Sequence, residues 1–285
     1  MIPLRSLLQE YAGLTPLAAN TLRLHQFGVA QFGKTLCADA TTDHLTDANL
    51  SRHAGRRIAE GRSRATVNAE FCKLLALWRF AAKQRYVEQW PTVKAPRMPE
   101  RAPLAWTQAE LARVFAAVQL AGPVGDVPGY RWWGALHACL WDTGERITAM
   151  LALEWSGVDL EGLSLLIPAE HRKGQTCDRV YRIAPDTAER LDKLPRDRPP
   201  FHWPYCLGTL WGRYKRLLAR AGLPDDRRSK FHRMRRSTAS HYEAAGGNAT
   251  ELLGHSSRKV TRLYLDPRVC GPPAAVDLLF RPPPA

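Results

Sequence analysis

The segment from Pro91 to Pro103, PTVKAPRMPERAP, constrains this chain more than any other part of it. Its four prolines remove backbone donors and fix φ, and charged residues lie between them, so it can continue neither a helix nor a central strand. It reads as a linker between residues 1–90 and residues 104–285, each of a length suited to one domain.

The residues before the linker have helical texture. Thr15-Pro16 has the form of a helix cap followed by proline at the first helical position, leading into Leu17, Leu24 and Phe27. Thr46 is placed to cap a helix through Leu50 and Ile58 that stops at Gly61. Val67, Phe71, Leu74, Leu75, Trp78 and Ala82 form a long apolar stripe at helical spacing. A small all-helical bundle is expected.

After the linker, Thr107-Gln-Ala-Glu110 is a capping box for a helix carrying Leu111, Val114 and Phe115. Further helices are expected from Trp132 to Asp142 and around Arg146, Met150, Leu151 and Leu153. Val158-Asp-Leu160, Leu163–Ile167 and Arg179–Ile183 are short strand-like runs framing the polar turn His171-Arg-Lys-Gly174. Helical texture returns over residues 186–194, 207–221 and 232–245. The second part is therefore predicted to be mostly α with one small antiparallel sheet.

Charge points to a polyanion. The chain carries +14, 32 of its 41 cations are Arg, and the excess is +7 in residues 1–102 and +7 in residues 103–285. Six cysteines without a C-x-x-C pair argue against a disulfide framework and a thiolate zinc site. The longest near-apolar stretch, Trp132 to Trp141, is too short to span a bilayer. Met1-Ile-Pro-Leu-Arg lacks the pattern of an export signal, so a cytoplasmic protein without a membrane partner is expected. Gly28-Val-Ala-Gln-Phe-Gly33-Lys34-Thr35 fits a phosphate-binding loop letter for letter. That chemistry needs a strand before the loop and a helix after it. Helical texture here makes a helix end the better reading and a nucleotide hydrolase the weaker one.

A second constellation is more specific because of its order. Thr143-Gly-Glu-Arg146 opens a helix, Lys173 sits at the hairpin tip, His232-Arg-Met-Arg235 places His and Arg three residues apart, Leu252-Leu-Gly-His255 ends a helix, and Tyr264 follows nine residues later. The segments TGERITAM, HRKGQTCDRVYRI, HRMRRSTASHYEAAGG, LLGHSS and VTRLYLDP resemble the boxes of the tyrosine recombinases, the phage-integrase family, and the likeness runs over nearly the whole chain.

The resemblance implies a tyrosine recombinase fold, with an N-terminal helical core-binding (SAM-like) domain and an α-rich catalytic domain. It implies a site-specific recombinase or integrase that cleaves and rejoins DNA through a 3′-phosphotyrosyl intermediate, with no metal, ATP or other cofactor. Arg146 and Arg235 would hold the nonbridging phosphate oxygens, Tyr264 would attack, His232 would take its proton, His255 would donate to the phosphate, and Lys173 would protonate the departing 5′ oxygen. Double-stranded DNA, a homotetramer on it and accessory DNA-bending proteins are the implied partners.

Two features qualify the match. Where the family has an acid three residues after the first Arg, this chain has Ala149, with Glu145 or Asp142 as substitutes; a weakened, architectural DNA-binding protein is the alternative reading. In the tail, Val276, Leu279 and Phe280 share one helical face, which suits docking on a neighbouring protomer or on its own domain.

Overall fold

The computed structural model describes residues 1–99, 101–172, 174 and 177–271, and the chain divides into two compact units, Met1–Glu100 and Arg101–Ala285. Lys173 and the tail residues Val276, Leu279 and Phe280 lie outside the described residues.

The first unit contains α1 (Leu4–Leu14), α2 (Ala19–Leu36), α3 (Asp47–Ala59) and α4 (Arg64–Lys83). Thr46 and Ser63 start α3 and α4 by accepting the Asn49 and Thr66 amides, two donors that the first helical turn leaves unpaired. Val67, Phe71, Leu74 and Trp78 run buried along α4, and Leu4, Leu7, Phe32 and Leu50 from the other three helices close the core.

Two local expectations differ from this structure. Thr15-Pro16 starts no helix: Thr15 is the extended residue that ends α1 (φ −129°, ψ 109°), the conformation a following proline imposes, and α2 begins after Ala18. Leu24 and Phe27 are exposed, while His25, Val29 and Phe32 face the core. One residue turns a helix by about 100°, so the packed face lies one position over.

The segment from Gly28 to Thr35 lies wholly within α2, its backbone inside the helix rather than in a phosphate-binding loop. Thr35 Oγ1 sits 3.2 Å from Gln31 O and 2.7 Å from His53 Nδ1. Residues 91–99 are irregular and held to this unit: Asp47 accepts the Thr92 and Val93 amides at 3.2 and 3.1 Å, and Asn68 donates to Pro96 O at 2.9 Å.

The second unit contains α5 (Gln108–Val118), α6 (Gly129–Thr143), α7 (Ile147–Leu151), β1 (Val158–Asp159), β2 (Ser164–Ile167), β3 (Arg179–Arg182), α8 (Pro185–Asp192), α9 (Leu207–Arg220), α10 (Phe231–Ala244), α11 (Ala249–Leu253), α12 (Arg258–Arg262) and α13 (Pro267–Cys270). The Thr107–Glu110 capping box opens α5 with both of its bonds, at 3.2 and 2.8 Å. The sheet is antiparallel in the order β1-β2-β3, with Leu165 opposite Tyr181. Alternation sends Leu165 and Ile167 inward and Leu166 outward.

Helix α6 is buried almost all round. Its Trp133 stacks on Tyr214 of α9 and Phe231 of α10, and His137 is enclosed beside them. Helix α10 packs on α6, α11 and α13, which brings widely separated segments to one end of the unit. Among the described residues no helix is long and apolar enough to cross a membrane.

Candidate active site

Two left-handed glycines shape the site. Gly144 ends α6 at φ +61°, and a Cβ there would meet Leu253 Cδ2 at 3.1 Å. Gly254 ends α11 at φ +63°, where a Cβ would lie 2.8 Å from Arg179 Nη2. Glycine adopts this conformation without the strain other side chains suffer. The first turn delivers Glu145 and Arg146, and the second delivers His255. Their floor carbonyls also anchor Arg235, whose Nη1 donates to Gly144 O at 2.6 Å and Nη2 to Leu253 O at 3.0 Å.

Arg235 is 1% exposed. Three residues earlier on α10, His232 is exposed to solvent. Tyr264 follows the end of α12 and is half-buried, its ring centroid 4.6 Å from that of His255 and 5.3 Å from that of His232. The guanidinium carbon of Arg235 lies 5.7 Å from the Tyr264 ring centroid. Arg146 caps α7, half-buried, and its charge reaches both Arg235 and His255. The structure thus gathers Arg146, His232, Arg235, His255 and Tyr264. Arg233, in the same H-x-x-R stretch, points elsewhere: it stacks on Trp106 and donates to Ala105 O at 3.2 Å.

Burial and the neighbouring Arg146 lower Arg235 to about 10, against the pull of Glu145, so it stays cationic at neutral pH. Burial, Arg235 and Arg146 push His255 down to about 4, which leaves a neutral ring. Arg235 Nη2 can only donate and lies 3.4 Å from His255 Nε2, so Nε2 accepts and Nδ1 carries its proton toward Thr261 Oγ1 at 3.1 Å. Among the described residues, no three His, Cys, Asp or Glu side chains are grouped to hold a metal ion.

No family model matches the chain. It is 25% identical over 282 residues to tyrosine recombinase XerA of Thermococcus onnurineus, a match covering 90% of this chain and 88% of that protein. It is 26% identical over 186 residues to tyrosine recombinase XerC of Bradyrhizobium diazoefficiens, covering 60% of this chain and 57% of that one. Over most of its length, the chain is thus similar to the tyrosine recombinases. Its fold is shared with λ integrase, solved as a dimer on a COC′ core site (TM-score 0.71, 20% identity, 94% of this chain and 96% of that one). It is shared also with the Tn1549 transposon integrase, solved with circular intermediate DNA (TM-score 0.72, 15% identity, 93% and 95%).

Within this tyrosine recombinase fold, Ala149 is packed into the core at 1% exposure. The carboxylate beside Arg235 belongs instead to Glu145, whose Oε2 lies 3.4 Å from Arg235 Nη1 and accepts the Arg146 amide at 2.6 Å. Asp142 is engaged elsewhere, accepting the Ala184 amide at the start of α8 at 2.8 Å. Burial pushes the Glu145 carboxyl up, but the charge of Arg235 and the hydrogen bond from Arg172 outweigh it and hold it below the usual range. Arg172 and Tyr181, both bonded to Glu145, stand outside the residues that order and spacing mark in the sequence. Alternation along β3 marks Tyr181 as inward-facing; nothing local marks Arg172.

Proposed function

We propose that this protein is a site-specific DNA strand transferase that cleaves and rejoins DNA through Tyr264. The observation carrying the reading is the Tyr264 ring set against His232, His255 and Arg235, four side chains supplied by α10 and by the ends of α11 and α12. An anionic phosphodiester needs this arrangement. Arg235, already fixed through two backbone carbonyls, offers a preorganised cation, and Arg146 supplies a second fork for the nonbridging oxygens.

Tyr264 Oη attacks phosphorus, the P–O5′ bond breaks, and the tyrosine proton passes to His232. Lys173, assigned from its place in the sequence, protonates the departing 5′ oxygen. A phosphate that takes the Arg235 N–H frees His255 Nε2, and the ring then donates to it in its other tautomer. The phosphotyrosyl bond conserves the energy of the phosphodiester, so rejoining needs no nucleotide. Glu145 beside Arg235 supports the catalytic reading over the architectural alternative that Ala149 suggested.

Double-stranded DNA is the proposed partner, bound by a homo-oligomer, a tetramer at full synapsis, with accessory DNA-bending proteins. The solved relatives on a core site and on circular intermediate DNA, and a λ integrase tetramer on a Holliday junction, support this. We assign the division of labour as residues 1–90 for binding, 91–103 for linkage and 104–285 for chemistry.

Incubation with sheared genomic DNA, followed by denaturation in SDS, should give a protein–DNA adduct that Tyr264→Phe abolishes. An adduct of equal yield from the Phe variant defeats the assignment. Sequencing the trapped DNA identifies the site.

A further inference from the structure

The Glu145 side chain is fully buried, and its two oxygens face different partners. Oε2 takes the Arg146 amide and faces Arg235 Nη1 at 3.4 Å. Oε1 accepts Arg172 Nε at 2.6 Å and the Tyr181 hydroxyl at 3.1 Å. Arg172 is 8% exposed, and its Nη1 also donates to Cys177 O at 3.2 Å, so it is seated from both ends. Four donors thus fill one carboxylate, and two of them are guanidinium groups from segments far apart in sequence.

The two arginine contacts are unequal. The bond to Arg172 is short and charge-assisted, whereas the approach of Arg235 is long. The carboxylate is therefore drawn toward Arg172. Arg235 keeps its alignment through backbone carbonyls and keeps most of its charge for an incoming anion. Without Arg172, the carboxylate would have no competing cation on its far side and would close on Arg235, neutralising it. Without Glu145, two buried cations would face each other across a low-dielectric gap.

We infer that Arg172 and Glu145 are a positioning pair that sets how much of the Arg235 charge reaches the scissile phosphate. The inference rests on the strand-transferase reading above. Neither residue touches the reacting atoms; each acts through Arg235.

The test is the single-turnover rate of Tyr264 adduct formation by the full chain. The substrate is a nicked duplex carrying the site recovered by adduct trapping, and duplex affinity and the urea-unfolding midpoint are measured in parallel. Arg172→Gln is expected to slow cleavage about 10²-fold with duplex affinity changed less than about 2-fold, the scale of losing one phosphate-stabilising donor. Arg172→Lys, which keeps the charge, should recover most of that loss. The decisive variant is the double one: Glu145→Gln with Arg172→Gln removes both charges at nearly constant volume and should cleave at least about 10-fold faster than Arg172→Gln alone. A structural role alone would make the two losses add and would track the unfolding midpoint. A cleaving wild type whose single losses add in the double variant overturns the positioning pair. So does an Arg172→Gln variant that cleaves at the wild-type rate. A folded wild type that forms no adduct overturns the strand-transferase reading itself, and this inference with it.

Discussion

Each unit buries a carboxylate against arginine, and the two clusters are built for opposite ends. In the first unit Glu70 receives a two-pronged bond from Arg57, both contacts at 2.9 Å, while the remaining Arg57 nitrogen reaches Glu60 at 2.7 Å. His53 lies 3.4 Å from the same carboxylate, and burial above all holds it below its ordinary pKa. Cation and carboxylates consume one another, and no positive charge is left over. In the second unit the guanidinium groups of Arg172 and Arg235 share the single carboxylate of Glu145, which also takes the Arg146 backbone amide, and the excess stays positive. A saturated ion cluster specifies packing; a cluster with charge in hand specifies a ligand.

The comparison can be broken by experiment. Glu70→Ala leaves the Arg57 guanidinium buried with its main partner gone, and should lower unfolding stability by about 3–5 kcal/mol in urea titrations. Below its melting range this variant should form the Tyr264 adduct at the wild-type rate. Arg235→Lys should do the reverse: adduct formation slows about 10²–10³-fold, because an ammonium cannot reproduce the fork, while the urea midpoint moves little. If the two variants show the same pattern, the distinction between the clusters fails.

Acid sharpens the contrast less strongly. Burial alone holds the enclosed His137 at about 4, partly opposed by its bond to Trp133 O, and His25 in the first unit is also lowered to about 4, by burial and Lys73. A base whose folded pKa lies below its unfolded value of 6.5 favours folding while neutral. Its contribution is complete above pH 6.5 and disappears as pH falls toward 4. Unfolding free energy should therefore drop over that window, with roughly 3 kcal/mol of the fall assignable to His137 and removed by His137→Phe. The smallest effect concerns the solvated cations. Arg64→Gln, on an exposed N-terminal turn of α4, should flatten the logarithmic salt dependence of duplex binding by about one unit and leave the cleavage rate unchanged.

Much of the architecture is legible in local pattern because local physics produces it. Thr46 and the Thr107–Glu110 box cap helices where side-chain chemistry demands. The strand-like runs at 163–167 and 179–183 pair as an antiparallel hairpin. Misreadings occur where two local rules compete. Thr15-Pro16 satisfies a helix-start pattern, but the extended conformation that proline imposes on Thr15 ends α1 instead. Leu24 and Phe27 suggest a buried face, yet α2 presents its adjacent stripe to α4, because the fit of Val29 and Phe32 outweighs the exposure of two apolar side chains.

The candidate site divides along the same line. Arg146, His232, Arg235, His255 and Tyr264 could be singled out from residue type, order and spacing, and the fold brings those five together. The sequence also presents Glu145 and Asp142 as equal substitutes for the acid missing at Ala149. Tertiary structure alone separates them, turning Glu145 toward Arg235 and Asp142 toward the start of α8. Arg172 carries no local signal at all. Its partner lies 27 residues away and that partner's other arginine 90 away. Helical and strand periodicities extend over a few residues, so they can say which side chains face inward; only the closed core decides which of those buried charges meet.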